Sequence, residues 1–225
     1  ALLLLLAAVT ALGPIATNLY LPALPKVREY FDASVADVQA TFSISLVMFA
    51  LGILAWGPIS DRFGRRRAIL AGLSIMVVGS VASAFAQSLQ WLIAGRALQA
   101  FGVATGLVTS RAIIADRYPA ERMAKMLASL TMVAVLGNSL APVLGGFLAA
   151  GFGWRAIFAT LAATTAIVAV IAWRRLPETR PPGTHAPRAR EMLATASSLV
   201  RKPLFMGCLL QGAVGTLLGI LLGYV

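Results

Sequence analysis

An all-α polytopic membrane protein is the fold class this sequence predicts, and three observations predict it. Hydrophobic residues make up 59% of the 225, while charged residues make up only 12%, about half the share that clothes a soluble domain. Apolar runs of about 20 residues recur along the chain, each long enough to cross a hydrocarbon core of roughly 30 Å as a helix. The charges gather in the short segments between those runs.

Reading the runs against their punctuation places seven spans at residues 1–21, 38–56, 68–86, 91–115, 123–150, 154–173 and 203–225. The first, opening "ALLLLLAAVT", lacks the basic start and the cleavage site of a signal peptide. "GPISDRFGRRR" separates the second span from the third, and "QSLQ" the third from the fourth. Basic residues near Arg117 precede the fifth, and the tight "AGFGW" turns it into the sixth. The segment 174–202, rich in Arg and Pro, reads as a linker largely outside the membrane, followed by the seventh span. The chain has no initiator Met and ends within "LLGILLGYV", so a fragment with both ends missing is expected.

Orientation follows from the basic residues. Of nineteen Lys and Arg, four lie at 57–67, three at 116–125 (Arg117, Arg122, Lys125) and seven at 174–202. The other side carries only Lys26, Arg28 and Arg155, with Arg96 and Arg111 inside the fourth span. The amino terminus is therefore expected in the cytoplasm. A seven-helix receptor would need the reverse orientation. The same topology accounts for the net charge of +11, so nucleic acid is not an expected partner; the lipid bilayer is.

A repeat lies in two of the turns. "GPISDRFGRR" at 57–66 aligns with "GFLAAGFGWR" at 146–155, matching Gly57 with Gly146, Phe63 with Phe152, Gly64 with Gly153 and Arg66 with Arg155. The two turns fall on opposite sides of the membrane, as an inverted three-plus-three repeat requires.

The first turn also carries chemistry. Gly57 and Gly64 permit tight backbone geometry and close helix approach. Asp61 can accept from free amides at a helix start, and Arg65 and Arg66 can hold a second carboxylate in fork geometry. A solvated loop with topogenic arginines is the plainer reading. The arrangement resembles the signature loop of the major facilitator superfamily, G-x-x-x-D-R-x-G-R-[RK]-x, matched by Gly57, Asp61, Arg62, Gly64, Arg65 and Arg66. The resemblance implies a cytoplasmic latch that gives way during alternating access, with Asp116 as a partner for Arg65 or Arg66.

Two further segments resemble signatures of that superfamily's drug/proton antiporters. "LIAGRALQAFGVATG" matches R-x-x-Q-G at Arg96 and Gln99, with Ala100 in place of the glycine. "GNSLAPVLGGFL" matches G-x-x-x-G-P-x-x-G-G at Gly137, Pro142, Gly145 and Gly146, with Ala141 before the proline. "TNLYLPALP" and "LPETR" resemble the Bcr/CflA-like multidrug efflux subfamily. The implied architecture is a six-helix amino-terminal bundle at 1–173, a cytoplasmic linker at 174–202 and helix seven at 203–225, the first of an incomplete carboxy-terminal bundle that would be its partner.

The resemblance assigns Arg96 to coupling proton and substrate movement. A charge inside a span costs several kcal/mol unless paired or hydrated, and Arg96 sits about 8 Å inside the end of its helix. Asn18, at comparable depth, stands where the subfamily pattern commonly has aspartate; it cannot titrate but can hydrogen-bond to Arg96 or to a substrate. Arg111 is expected at the inner mouth of the cavity. Gly137, Pro142, Gly145 and Gly146 are expected to form a hinge in the fifth span. All eight acids fall in loops or at helix ends.

The expected function is a secondary transporter in a bacterial cytoplasmic membrane, exporting drug-like or amphiphilic molecules with a proton gradient as driving force. A proton-uncoupled facilitator or metabolite exporter shares the fold, and a non-transporting sensor or inactive fragment is the other alternative. No nucleotide-binding loop, catalytic set or metal cluster is present in the sequence, so no enzyme, metal or cofactor is expected. His185 sits in the linker without a second ligand, and Cys208 is the single cysteine.

Overall fold

Proline and glycine set where the helices stop, though not everywhere a sequence reading places the breaks. The computed structural model describes residues 2–180; the span predicted at 203–225 and most of the linker predicted at 174–202, including His185 and Cys208, lie outside them. The described elements are α1 (Leu2–Tyr20), a 3-10 turn (Leu21–Ala23), α2 (Leu24–Phe31), α3 (Val35–Phe63), α4 (Arg65–Ala84), α5 (Leu89–Arg117), α6 (Ala120–Phe152) and α7 (Trp154–Arg175). With α1 and α2 taken as one run, six helices are long and apolar enough to cross a membrane. They match the first six predicted spans in order.

The first correction concerns the connection expected after residue 21, which is helical. Pro22 and Pro25 lie in the opening turns of the 3-10 turn and of α2, where a fixed φ suits and a missing N–H is not needed. Val27 is fully buried and pins α2 to the bundle. Asp32, at φ 47°, ends it. Ser34 and Asp37 then form a reciprocal cap that starts α3.

The second correction concerns the expected loop at 57–67. Gly57–Pro58 reads as a turn, yet α3 runs through it to Phe63. Trp56 and Ser60 are buried, and Trp56 Nε1 donates to the Phe101 carbonyl at 2.8 Å. Packing on α5 outweighs the cost of a helical proline. Only Gly64 remains between α3 and α4.

Small residues let the helices meet backbone to backbone. A β-carbon on Gly102 of α5 would lie 2.6 Å from the Gly72 carbonyl of α4, and one on Gly79 would lie 2.7 Å from the Gly95 carbonyl. Gly145 of α6 takes the corresponding place against the Leu19 carbonyl of α1.

The inverted repeat is visible in space. α3 packs on α5 as α6 packs on α1, and α4 pairs with α7. Gly64 (φ 98°) and Gly153 (φ 83°) are the single-residue junctions of α3 with α4 and of α6 with α7. Arg66, at the start of α4, donates to the Trp173 carbonyl near the end of α7 at 2.6 Å. Arg155, at the start of α7, donates to the Ala86 carbonyl just after α4 at 2.8 Å. Midway between, Thr165 Oγ1 donates to the Met76 sulfur at 3.5 Å, and the two lie 89 positions apart, the same spacing as Gly64 to Gly153. Equivalent residues touch only where a two-fold axis passes between them, so the axis runs through this contact.

Candidate functional site

The arginine-rich end of the bundle holds a charged network built around Arg65, the first residue of α4. Its Nε donates to Asp116 of α5 at 2.9 Å, its Nη1 donates to the Ser60 hydroxyl at 2.7 Å, and Nη1 also pairs with Asp61. Arg65 is 9% exposed. One guanidinium thus ties the last turn of α3, the start of α4 and the end of α5. The expected partnership of Asp116 resolves in favour of Arg65, not Arg66. Arg66 instead uses its guanidinium on the Trp173 carbonyl.

The carboxylate at a helix start is Glu178, not Asp61 as expected. Asp61 sits in the final turn of α3. Glu178 accepts from the backbone amides of Arg65 at 2.9 Å, Arg66 at 3.3 Å, Thr179 at 3.0 Å and Arg180 at 3.1 Å. It satisfies two orphan amides of α4 where the helix dipole favours an anion. Partial burial pushes its carboxyl upward, but these amides outweigh that and hold it below the ordinary carboxylate range. Gly64 is required twice over: its φ suits glycine, and a β-carbon there would collide with the Glu178 carboxylate. Gly57 makes no close approach, because a β-carbon on it would meet nothing within 4 Å. Arg62 is exposed, its guanidinium 5.3 Å from the Phe63 ring, and its carbonyl accepts from Arg180 Nη1 at 2.8 Å.

A second constellation lies within the membrane-spanning helices. Arg96 of α5 is 2% exposed, with its guanidinium carbon 3.9 Å from the Tyr20 ring of α1 and 5.8 Å from the Phe158 ring of α7. Its Nε donates to the Thr41 carbonyl of α3 at 3.3 Å. The Tyr20 hydroxyl in turn lies 3.1 Å from Thr41 Oγ1. Four helices therefore converge on one cation, whose desolvation two ring faces offset. Nη1 has no hydrogen-bond partner among the described residues.

Arg96 and Gln99 border a pocket with Thr17, Ser45, Phe49 and Val103, about 20 Å³ in volume, room for about one water. Gln99 Nε2 donates to Ser80 Oγ at 2.8 Å across the α4–α5 seam. Asn18 does not reach Arg96 by any hydrogen bond among the described residues. It donates to the Pro14 carbonyl at 2.9 Å and pairs with Asn138 of α6. Asn138 escaped the sequence reading, although an asparagine within an apolar run is itself a signal of a polar contact.

The expected hinge in α6 divides. The helix is continuous through Pro142. Gly145 lies against the Leu19 backbone and Gly137 against Ile15, whereas Gly146 faces open space. Arg111 is exposed on α5, with no hydrogen bond or ion pair among the described residues. No group of three His, Cys, Asp or Glu able to hold a metal occurs among the described residues.

Similarity to known proteins agrees with this fold. Residues 6–225 match the family model of the Major Facilitator Superfamily. The chain is 34% identical to multidrug resistance protein D of Escherichia coli over 97% of its length and 55% of that protein's. It is 35% identical to a chloramphenicol resistance protein of Pseudomonas aeruginosa over 80% of its length and 43% of that protein's. The chain spans about half the length of the curated relatives it matches. A crystal structure of a D-xylose–proton symporter superposes with a TM-score of 0.70 at 17% identity, covering 91% of this chain and 54% of that one. An inward-facing bacterial homologue of the lysosomal transporter Spinster gives 0.66 at 23%, covering 84% and 45%. With six helices among the described residues long and apolar enough to cross a membrane, an inverted repeat and a family match over nearly all its length, this chain belongs to the major facilitator superfamily.

Proposed function

We propose that this chain is the amino-terminal half of a secondary transporter that exports drug-like or amphiphilic small molecules from a bacterium across its cytoplasmic membrane. The observation that carries the reading is the similarity, over nearly the whole chain, to a protein named for multidrug resistance. The geometry supports alternating access in two places. Arg65 holds three helices together at one end through Asp61 and Asp116, a rigid edge on which a latch to the carboxy-terminal bundle would form and break as the bundles rock. Arg96 places a cation, with one nitrogen unpaired, beside a small pocket on α1, α3 and α5. In this reading Arg96 and Gln99 respond to protonation elsewhere, Asn18 binds, Arg111 lines the inner mouth, and Gly137 and Gly145 form the sliding surface of α6 on α1. The amino terminus faces the cytoplasm and the proton gradient drives export.

The second reading, a facilitator uncoupled from protons, is favoured by Asn18. Among the described residues the acids, Glu29, Asp32, Asp37, Asp61, Asp116, Glu121 and Glu178, all lie at helix ends, in α2 or in connections. Chloramphenicol accumulation in cells expressing the whole protein separates the readings. Coupled export predicts lower accumulation that returns to the control level when a protonophore collapses the gradient. Export that survives the protonophore selects the facilitator, and unchanged accumulation of chloramphenicol and other amphiphiles removes the export reading.

A further inference from the structure

A groove of about 700 Å³ opens at the arginine-rich end between α1 and α7. Leu4, Leu5, Ala8, Val168 and Ile171 give it an apolar wall, and Arg117 and Arg175 also line it. These two are the last residues of α5 and α7, so they stand where the spans leave the hydrocarbon. The apolar wall extends inward from them: Ala8 lies about 6 Å along α1 from Leu4 at the helical rise. Neither arginine makes a hydrogen bond or ion pair among the described residues. This contrasts with Arg65, Arg66 and Arg155, each held by a carboxylate or carbonyl.

Two guanidinium groups without a partner among the described residues, beside an apolar channel, select an amphiphile carrying an anionic head. We propose that the groove is a binding site for an anionic glycerophospholipid, its phosphate held between Arg117 and Arg175 and one acyl chain laid along α1 and α7. Guanidinium forks match phosphate oxygens in pairs, and the volume is in the range of pockets that enclose a small ligand. The bilayer supplies such a lipid at high local concentration. The basic end is also the one that positive-inside counting assigns to the cytoplasmic leaflet, whose surface is anionic. The site is separate from the pocket beside Arg96, with which it shares no lining residue.

The test uses the purified whole protein, delipidated in detergent and titrated with phosphatidylglycerol or phosphatidylcholine of identical acyl chains, read by native mass spectrometry. The native chain is expected to retain phosphatidylglycerol on the order of tenfold more than phosphatidylcholine, from two arginines each acting on the anionic head. Arg117→Gln with Arg175→Gln abolishes that preference, and Val168→Trp, which fills the groove but keeps both charges, lowers retention of both lipids. An unchanged preference in the double variant overturns the proposal, as does full retention by Val168→Trp. Phosphatidylglycerol bearing a photoreactive group on its acyl chain tests the site without any substitution. Labelling at Leu4, Ala8, Val168 or Ile171 supports it, and labelling confined to other helices overturns it.

Discussion

The Arg96 guanidinium lies 3.9 Å from the Tyr20 ring, so a residue of α5 and a residue of α1 share one buried cation–π contact. Such a contact, removed from water, is worth about 2 kcal/mol or more. Tyr20→Phe keeps the ring and loses only the hydroxyl contact with Thr41, a cost of about 1 kcal/mol. Tyr20→Ala removes the ring and opens a cavity, at about 3–5 kcal/mol. Denaturant unfolding of the purified protein is expected to separate the two, with Tyr20→Ala clearly the less stable.

Gly64→Ala and Gly153→Ala place the same side chain at repeat-equivalent junctions. Both adopt backbone angles that only glycine tolerates well, at about 1–3 kcal/mol each. The alanine at position 64 must also displace Glu178, whereas position 153 has open space. Gly64→Ala is therefore expected to destabilise more. In a Glu178→Ala background the difference should shrink, and a double-mutant cycle in thermal unfolding reads that coupling.

Glu178 gives a pH dependence with a defined sign. Its carboxyl is held below its unfolded value by four backbone amides. It therefore contributes stability above the ordinary carboxylate range, and that contribution is lost as pH falls through its depressed folded value. Glu178→Gln is expected to be less stable than the native chain at neutral pH. The gap should narrow on acidification below about pH 4, as followed by unfolding across a pH series.

Asp61 and Asp116 share Arg65, so their removal is not additive. Asp61→Asn leaves Arg65 paired with Asp116, and Asp116→Asn leaves it paired with Asp61. The double change, which leaves Arg65 with neither carboxylate, should therefore cost more than the sum of the two single changes. The coupling should fall in the range of about 0.5–3 kcal/mol for contacting residues, measured by unfolding of the four variants.

The six spans, their order and the inverted repeat were legible because apolar length and glycine junctions are local signals. The ends of α3 were not. Gly57–Pro58 carries a turn signal, and the burial of Trp56, with its hydrogen bond to the Phe101 carbonyl of α5, overrides it. That Asp116 would meet Arg65 or Arg66 was legible from charge at helix ends, but the choice of Arg65 was not. The role of Glu178 was not, since it meets Arg65 across 113 positions of sequence. Arg96 stood out by its depth, but Tyr20 as its partner depends on the rotation of α1 against α5. For the same reason Gly145 packs and Gly146 does not, although the two are neighbours in one motif. Asn18 was legible as a polar residue in a span; its partner Asn138 depended on α6 crossing α1 there.

That pair of asparagines leads to the most direct test of proton-coupled export. An aspartate at position 18 can keep the contact, because the Asn138 amide can turn its NH₂ toward a carboxylate. The measurement is chloramphenicol-driven proton movement in vesicles containing the whole protein, comparing native Asn18 with Asn18→Asp. The account predicts that the native protein moves protons, with Asn18 acting only in binding. Proton movement by the Asn18→Asp variant alone would contradict it and leave the native protein a facilitator.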